Sequence, residues 1–98
     1  MYFKMNFTNK KVWITGASSG IGEALSYAFA LEGAHLILSG RNKVELERVK
    51  QACKGATAID IVPLDIANHG EIFKITEGVL SRLGAVDVLI NNAIISKY

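Results

Sequence analysis

Four short apolar runs, separated by helix-length stretches with their own start and stop signals, constrain this chain more than any other feature. The first, residues 12–15 (VWIT), is apolar and partly β-branched and runs into a turn rich in glycine. Beyond it, from 21 to 32, Ile21, Leu25, Ala28 and Phe29 fall on one helical stripe that ends at Gly33. The second run, 35–39 (HLILS), precedes Asn42, which with Glu45 makes a capping-box start for a helix carrying Val44, Val49 and Cys53, with Gly55 after it. The third, 58–62 (AIDIV), is closed by Pro63, a residue that cannot donate to a strand ladder. Asn68 and Glu71 then repeat the cap, Ile72, Ile75, Val79 and Leu83 repeat the stripe, and Gly84 stops it before the fourth run, 86–90 (VDVLI). Strands alternating with helices of this length pair in parallel through crossovers, so the fold class is α/β.

Right-handed crossovers put the first two helices on one face if the sheet grows from strand one to two to three. A fourth strand beside strand one then sends the third helix to the other face. The expected architecture is a doubly wound parallel sheet of order 3-2-1-4, formed by residues 1–98 as one unit without linker or low-complexity tract. Ligands of such sheets bind at the carboxyl ends of the strands, at the switch point between strands one and four.

The turn at that point reads TGASSGIG, Thr15 to Gly22. Gly16 permits a sharp backbone turn, and Gly20 and Gly22, on either side of Ile21, let a ligand and a neighbouring strand approach the helix start. Exposed amides at a helix N-terminus attract phosphate oxygens, and Ser18 and Ser19 add hydroxyl donors. The stretch is a phosphate cradle but not a P-loop, which requires Lys and Ser or Thr directly after its last glycine. About 20 residues further on, where dinucleotide folds choose their cofactor, the chain has no carboxylate for a ribose 2′-hydroxyl. It has SGRN, residues 39–42, in which Arg41, followed by Asn42, offers a planar fork suited to a 2′-phosphate. NADP is expected over NAD.

Composition excludes other classes. Of the 98 residues 50% are hydrophobic and 20% charged, which is globular, and the net charge of +2 comes from scattered cations that do not suggest nucleic acid. No apolar run approaches a membrane span, and the amino-terminal residues lack the apolar core of a signal peptide, so a cytoplasmic protein with no membrane partner is expected. A single cysteine, Cys53, excludes an internal disulfide, and His35 and His69 stand too far apart to suggest a metal site. Both histidines, Cys53 and Trp13 are assigned packing or solvent-facing roles. The charges of the second helix, Lys43, Glu45, Glu47, Arg48 and Lys50, are assigned to a solvated face.

Taken together, Thr15, Gly16, Gly20 and Gly22 resemble the Thr-Gly-x-x-x-Gly-x-Gly signature of the short-chain dehydrogenases/reductases. Leu64-Asp65, with Ile66 next, resembles that family's position for a carboxylate that accepts from the adenine amino group. Asn91, Asn92 and Ala93 resemble its Asn-Asn-Ala-Gly motif, which supports the sheet and lines the adenosine side of the cofactor. The resemblance spans nearly the whole chain and implies a Rossmann-like fold, an NADP-dependent hydride transfer between nicotinamide and a carbonyl or alcohol carbon, and a homo-oligomer. The pattern departs at Ile94, where the motif has glycine. The family's catalytic Ser and Tyr-x-x-x-Lys are also missing: Lys97-Tyr98 is in the wrong order, Tyr2 is followed at that spacing by Asn6 and Tyr27 by Leu31, and Ser96 lies too close to the Asn-rich motif. No catalytic residue is assigned. The chain is therefore expected to be the cofactor-binding part of such an enzyme, inactive alone, with the small substrate's pocket in the full-length protein. The alternative is a non-catalytic module that binds or senses NADP. A discontinuity within NNAIISKY would also account for Ile94.

Overall fold

A computed structural model describes residues 6–92. Along the chain run β1 (Lys11–Thr15), α1 (Gly20–Leu31), β2 (His35–Ser39), α2 (Lys43–Ala52), β3 (Ala58–Ile61), α3 (His69–Leu83) and β4 (Val88–Asn91). The four strands form one parallel sheet in the expected order β3-β2-β1-β4, with Trp13 of β1 opposite Ile37 of β2 and Leu89 of β4. β1 therefore lies inside the sheet, and its carboxyl end is where the glycine turn begins.

Alternation along the strands divides the core in two. Val12 and Ile14 of β1 join Leu36 and Leu38 of β2 beneath α1 and α2, where Ala30, Leu46 and Val49 complete a fully buried cluster. Trp13, Ile37, Val62 and Leu64 face the other way and pack with Val79 of α3, flanked by Ile72, Ile75 and Leu83. Removing each large aliphatic side chain from water contributes roughly 1.5 to 3 kcal/mol before entropy is set against it. With both faces occupied, these strands read as continuous apolar runs, as parallel strands do.

Side-chain caps start two of the helices. The Asn42 Oδ1 accepts from the Glu45 amide and the Asn68 Oδ1 from the Glu71 amide, each at 3.2 Å. Neither carboxyl group reaches back to the backbone amide of its cap residue among the described residues, although Glu71 Oε2 accepts from Asn68 Nδ2 at 3.3 Å, so each box is half formed. β4 begins at Val88, two residues later than expected, because Asp87 serves the amino end of β1: Lys11 N donates to its carboxylate at 2.9 Å, and its own amide donates to Lys11 O at 2.9 Å.

Two helix faces differ from expectation. In α1 the buried positions are Gly22, Ser26 and Ala30, with Leu25 and Phe29 half-buried, while Ile21 and Ala28 are exposed. Small residues let this helix lie close to the sheet, and they leave little trace in an apolar periodicity. In α2 the buried pair is Leu46 and Val49, and Val44, in the first turn, is 75% exposed. No described helix is long and apolar enough to cross a membrane, and the described residues hold no cluster able to bind a metal. Ala93 and Ile94 lie outside the described residues, as do Tyr2, Ser96, Lys97 and Tyr98.

Candidate functional site

Every described residue expected at the site lies at the carboxyl edge of the sheet. Leaving β1, the backbone turns through Gly16 at φ 64° and Gly20 at φ 52°, a region costly for side chains bearing a Cβ. Around Gly20 there is open space: a Cβ there would meet nothing within 4 Å. Gly22 is the opposite case, since its Cβ would stand 2.1 Å from the Gly16 carbonyl oxygen and 2.7 Å from Asn92 Nδ2. One glycine keeps room for a ligand, and the other lets α1 close on the turn and on the end of β4.

Ser19 occupies the N-cap of α1 in an extended conformation, yet its side chain makes no capping hydrogen bond. The amides of Gly20, Ile21 and Gly22 find no acceptor among the described residues; Glu23 N, one step further, donates to Ser19 O at 3.4 Å. A helix start normally satisfies such amides with a cap, water or a ligand. These three donors gather at the positive end of the helix dipole, where Ser19, Gly20 and Ile21 are exposed and Gly22 is buried.

Hydrogen bonds from the other strands hold this turn. Ala17 N donates to Ser39 O at 3.0 Å, tying it to the end of β2. The Thr15 hydroxyl donates to Asn91 Oδ1 at 3.0 Å and accepts from Asn92 N at 3.1 Å, and Asn92 Nδ2 donates to the Gly16 carbonyl at 3.2 Å. Both asparagines therefore brace the turn. Beyond β2, Gly40 O accepts from Leu64 N at 2.9 Å, which fixes the loop of Arg41 against the segment that follows β3. Arg41 is exposed and makes no hydrogen bond or ion pair among the described residues, whereas Asn42 is committed to its cap. The Ser18 Oγ lies 3.7 Å from where a Cβ on Gly40 would stand, so turn and loop adjoin.

Asp65 is half-buried beyond β3. Its Oδ1 accepts from Ala67 N at 3.0 Å and its carbonyl from Asn68 N at 3.0 Å, a turn that leads into α3, and Oδ2 has no partner among the described residues. Ile66 packs beside the cluster under α3. Trp13, expected simply to pack, donates from Nε1 to the buried Ser39 Oγ at 2.8 Å, at the strand end that holds Ala17.

Arg48, assigned above to a solvated face, instead bridges α2 to the glycine turn. Its guanidinium donates to both oxygens of Glu23 at 3.0 and 3.1 Å, to Glu45 Oε1 at 2.9 Å and to the Ser18 carbonyl at 3.3 Å. Tyr27 Oη donates to Glu23 Oε2 at 2.6 Å. These bonds, Arg48 first and Tyr27 second, pull the Glu23 carboxyl down to about 2, and the carboxylate pushes Tyr27 up. The signal in the sequence was spacing: Glu23 and Tyr27 are four apart on one helix, and Glu45 and Arg48 three apart on the next. His35, expected to pack or to face solvent, bonds Asp60 through Nε2 at 2.7 Å. A shallow cavity of about 450 Å³, lined in part by Thr8, Gly33 and Gly55, lies at the amino ends of the strands, away from all the expected site residues.

The profile of the short chain dehydrogenase family matches residues 10–98. Over 90 residues the chain is 43% identical to the human dehydrogenase/reductase SDR family member 7, covering 87% of this chain and 26% of that protein. It is 42% identical over 90 residues to 11-beta-hydroxysteroid dehydrogenase-like 2 of Arabidopsis thaliana, covering 90% and 29%. Among solved structures, the L-sorbose reductase of Gluconobacter frateurii complexed with NADPH and L-sorbose superposes with a TM-score of 0.85 at 34% identity, covering 97% of this chain and 37% of that one. A hydroxysteroid dehydrogenase from Escherichia coli gives 0.80 at 30% identity, covering 92% and 39%. The chain thus spans about a quarter to a third of the curated relatives it matches.

Proposed function

From a chain that belongs to the short-chain dehydrogenase/reductase family, we propose the cofactor-binding part of an NADP-dependent oxidoreductase that moves a hydride between nicotinamide and a carbonyl or alcohol carbon. The observation that carries this reading is the uncapped start of α1 beside open space at Gly20, a corner shaped and charged for a pyrophosphate. These residues fit the dinucleotide: the amides of Gly20, Ile21 and Gly22 with the hydroxyls of Ser18 and Ser19 would hold its phosphates, and Asp65 Oδ2 would accept from its adenine amino group. Ala93 is assigned to the adenosine side with Asn91 and Asn92, which brace the turn as well. The dinucleotide supplies the hydride; the chain binds it, orients it and reads its 2′-phosphate through Arg41. A relative's NADPH complex supports the choice of NADP.

Catalysis itself is assigned to no residue of these 98, because no Tyr-x-x-x-Lys occurs in them to move the proton that accompanies the hydride. The second reading is a module that binds or senses NADP without turnover. In either reading we propose a cytoplasmic protein, a compartment in which the free thiol of Cys53 would stay reduced.

Calorimetric titration with NADP and NAD tests cofactor choice. Arg41→Ala is expected to weaken NADP about tenfold to hundredfold, the equivalent of roughly 1.5 to 3 kcal/mol of charge-assisted hydrogen bonding, and to leave NAD unchanged. Equal loss of both would make Arg41 structural, and unchanged binding of both would remove it from the site. Gly40→Asp should act in the complementary sense, since it places a carboxylate where 2′-hydroxyl readers carry one. Its Cβ would be in ordinary contact, 3.4 Å from Leu46 Cδ2. The 98-residue chain should leave NADPH oxidation at the blank rate with a panel of ketones; steady oxidation abolished by Gly16→Asp would refute its assigned inactivity.

A further inference from the structure

We propose that Arg48 is a positioning residue for the dinucleotide, one that sets both the shape and the charge of the phosphate turn from behind; this rests on reading that turn as a cofactor cradle. Three contacts carry it: the guanidinium holds the Ser18 carbonyl, grips Glu23 by both oxygens and is itself anchored by Glu45.

The shape follows from peptide geometry. A planar trans peptide points its C=O and N–H in opposite directions. With the Ser18 carbonyl drawn toward α2 at 3.3 Å, the Ser19 N–H is aimed away from α2, and it finds no acceptor among the described residues. Releasing the carbonyl frees that peptide to rotate and one donor to turn out of line.

The charge follows from Glu23. A carboxylate in the first turn of α1 favours the helix but opposes a second anion at the same end. Held at about 2, it stays ionised at neutral pH, so protonation does not remove its charge. Arg48 does so instead, through a fork–fork pair further pinned by Tyr27.

Titration of the purified protein with NADP and with NAD, alongside thermal unfolding of each variant, separates this role from a simple brace between helices. Arg48→Met is expected to weaken both cofactors about tenfold, the loss of one charge-assisted contact set, with their ratio unchanged. Arg48→Lys keeps the charge without the fork and should fall between Arg48→Met and the unsubstituted protein for both. Adding Glu23→Gln to Arg48→Met should recover about threefold in affinity without restoring the melting temperature, because the uncancelled carboxylate is gone while the brace is still absent. Wild-type affinity for both cofactors in Arg48→Met and Arg48→Lys would overturn the proposal. A double variant that binds no better than Arg48→Met, or loss confined to NADP, would overturn it too. Absence of binding by the unsubstituted protein would instead sink the cradle reading, and this one with it.

Discussion

Gly20 and Gly22 stand two residues apart in one motif and answer to different physics. At Gly22 the problem is space: an added methyl would lie 2.1 Å from a backbone oxygen, an atom that cannot move aside as a side chain can. Gly22→Ala is expected to destabilise the fold by about 1 to 3 kcal/mol, as overpacking does, or more if α1 cannot shift. At Gly20 the problem is only the dihedral, φ 52° with nothing nearby, so Gly20→Ala should be confined to about 1 to 2 kcal/mol. Urea unfolding of the two variants measures the difference. A Gly20→Ala loss equal to or larger than that of Gly22→Ala would contradict this division. Both glycines stood out in the turn's composition, but which one is crowded depends on how the turn folds back on α1 and on Asn92, brought beside it by the pairing of β4 with β1.

At the scale of elements, α1 and α2 are joined above the sheet by an ion pair whose pH response has a defined sign. Glu23 is lowered from about 4.5 to about 2 on folding, so its contribution is fully present above pH 4.5 and is lost as pH falls toward 2. The urea midpoint of the wild type should therefore fall more steeply over that interval than the midpoint of Glu23→Gln. Parallel curves would show that the pair adds nothing to stability, as exposed ion pairs can. Element order, caps and strand order were readable because each rests on residues a few positions apart or on the fixed hand of crossovers. Faces were harder. Periodicity chose Ile21 and Ala28 for α1, and the helix buries Gly22, Ser26 and Ala30, whose value is closeness rather than hydrophobicity. Arg48 was hidden for a related reason: an arginine on a polar helix looks solvated until another helix brings a carboxylate to it.

For the whole molecule, β3 and β4 are the two edges of the sheet among the described residues, and the β4 edge carries the more exposed apolar surface. β4 has β1 as its sole strand partner among the described residues, and Leu89, on the α3 side, is 62% exposed. Phe73 and Leu80, seven residues apart on α3, add a second apolar strip. Parallel sheets normally bury both faces, and unpaired edges recruit other chains. The 98-residue chain should self-associate, in keeping with the homo-oligomer expected from its sequence, and Leu89→Lys should reduce it. Sedimentation velocity decides: a monomer at high concentration that binds no hydrophobic dye would count against the prediction.

The bonds that brace the glycine turn also impose an order in time. Thr15 and Gly16 are made before the groups that fix them, Asn91 and Asn92, which follow 76 and 77 residues later. Closing so long a loop is entropically the slow kind of step. A chain leaving the ribosome can pair β1 with β2 and wrap α1 and α2 while its cradle is still unbraced on one side. The fully braced geometry of the turn therefore arrives only with β4.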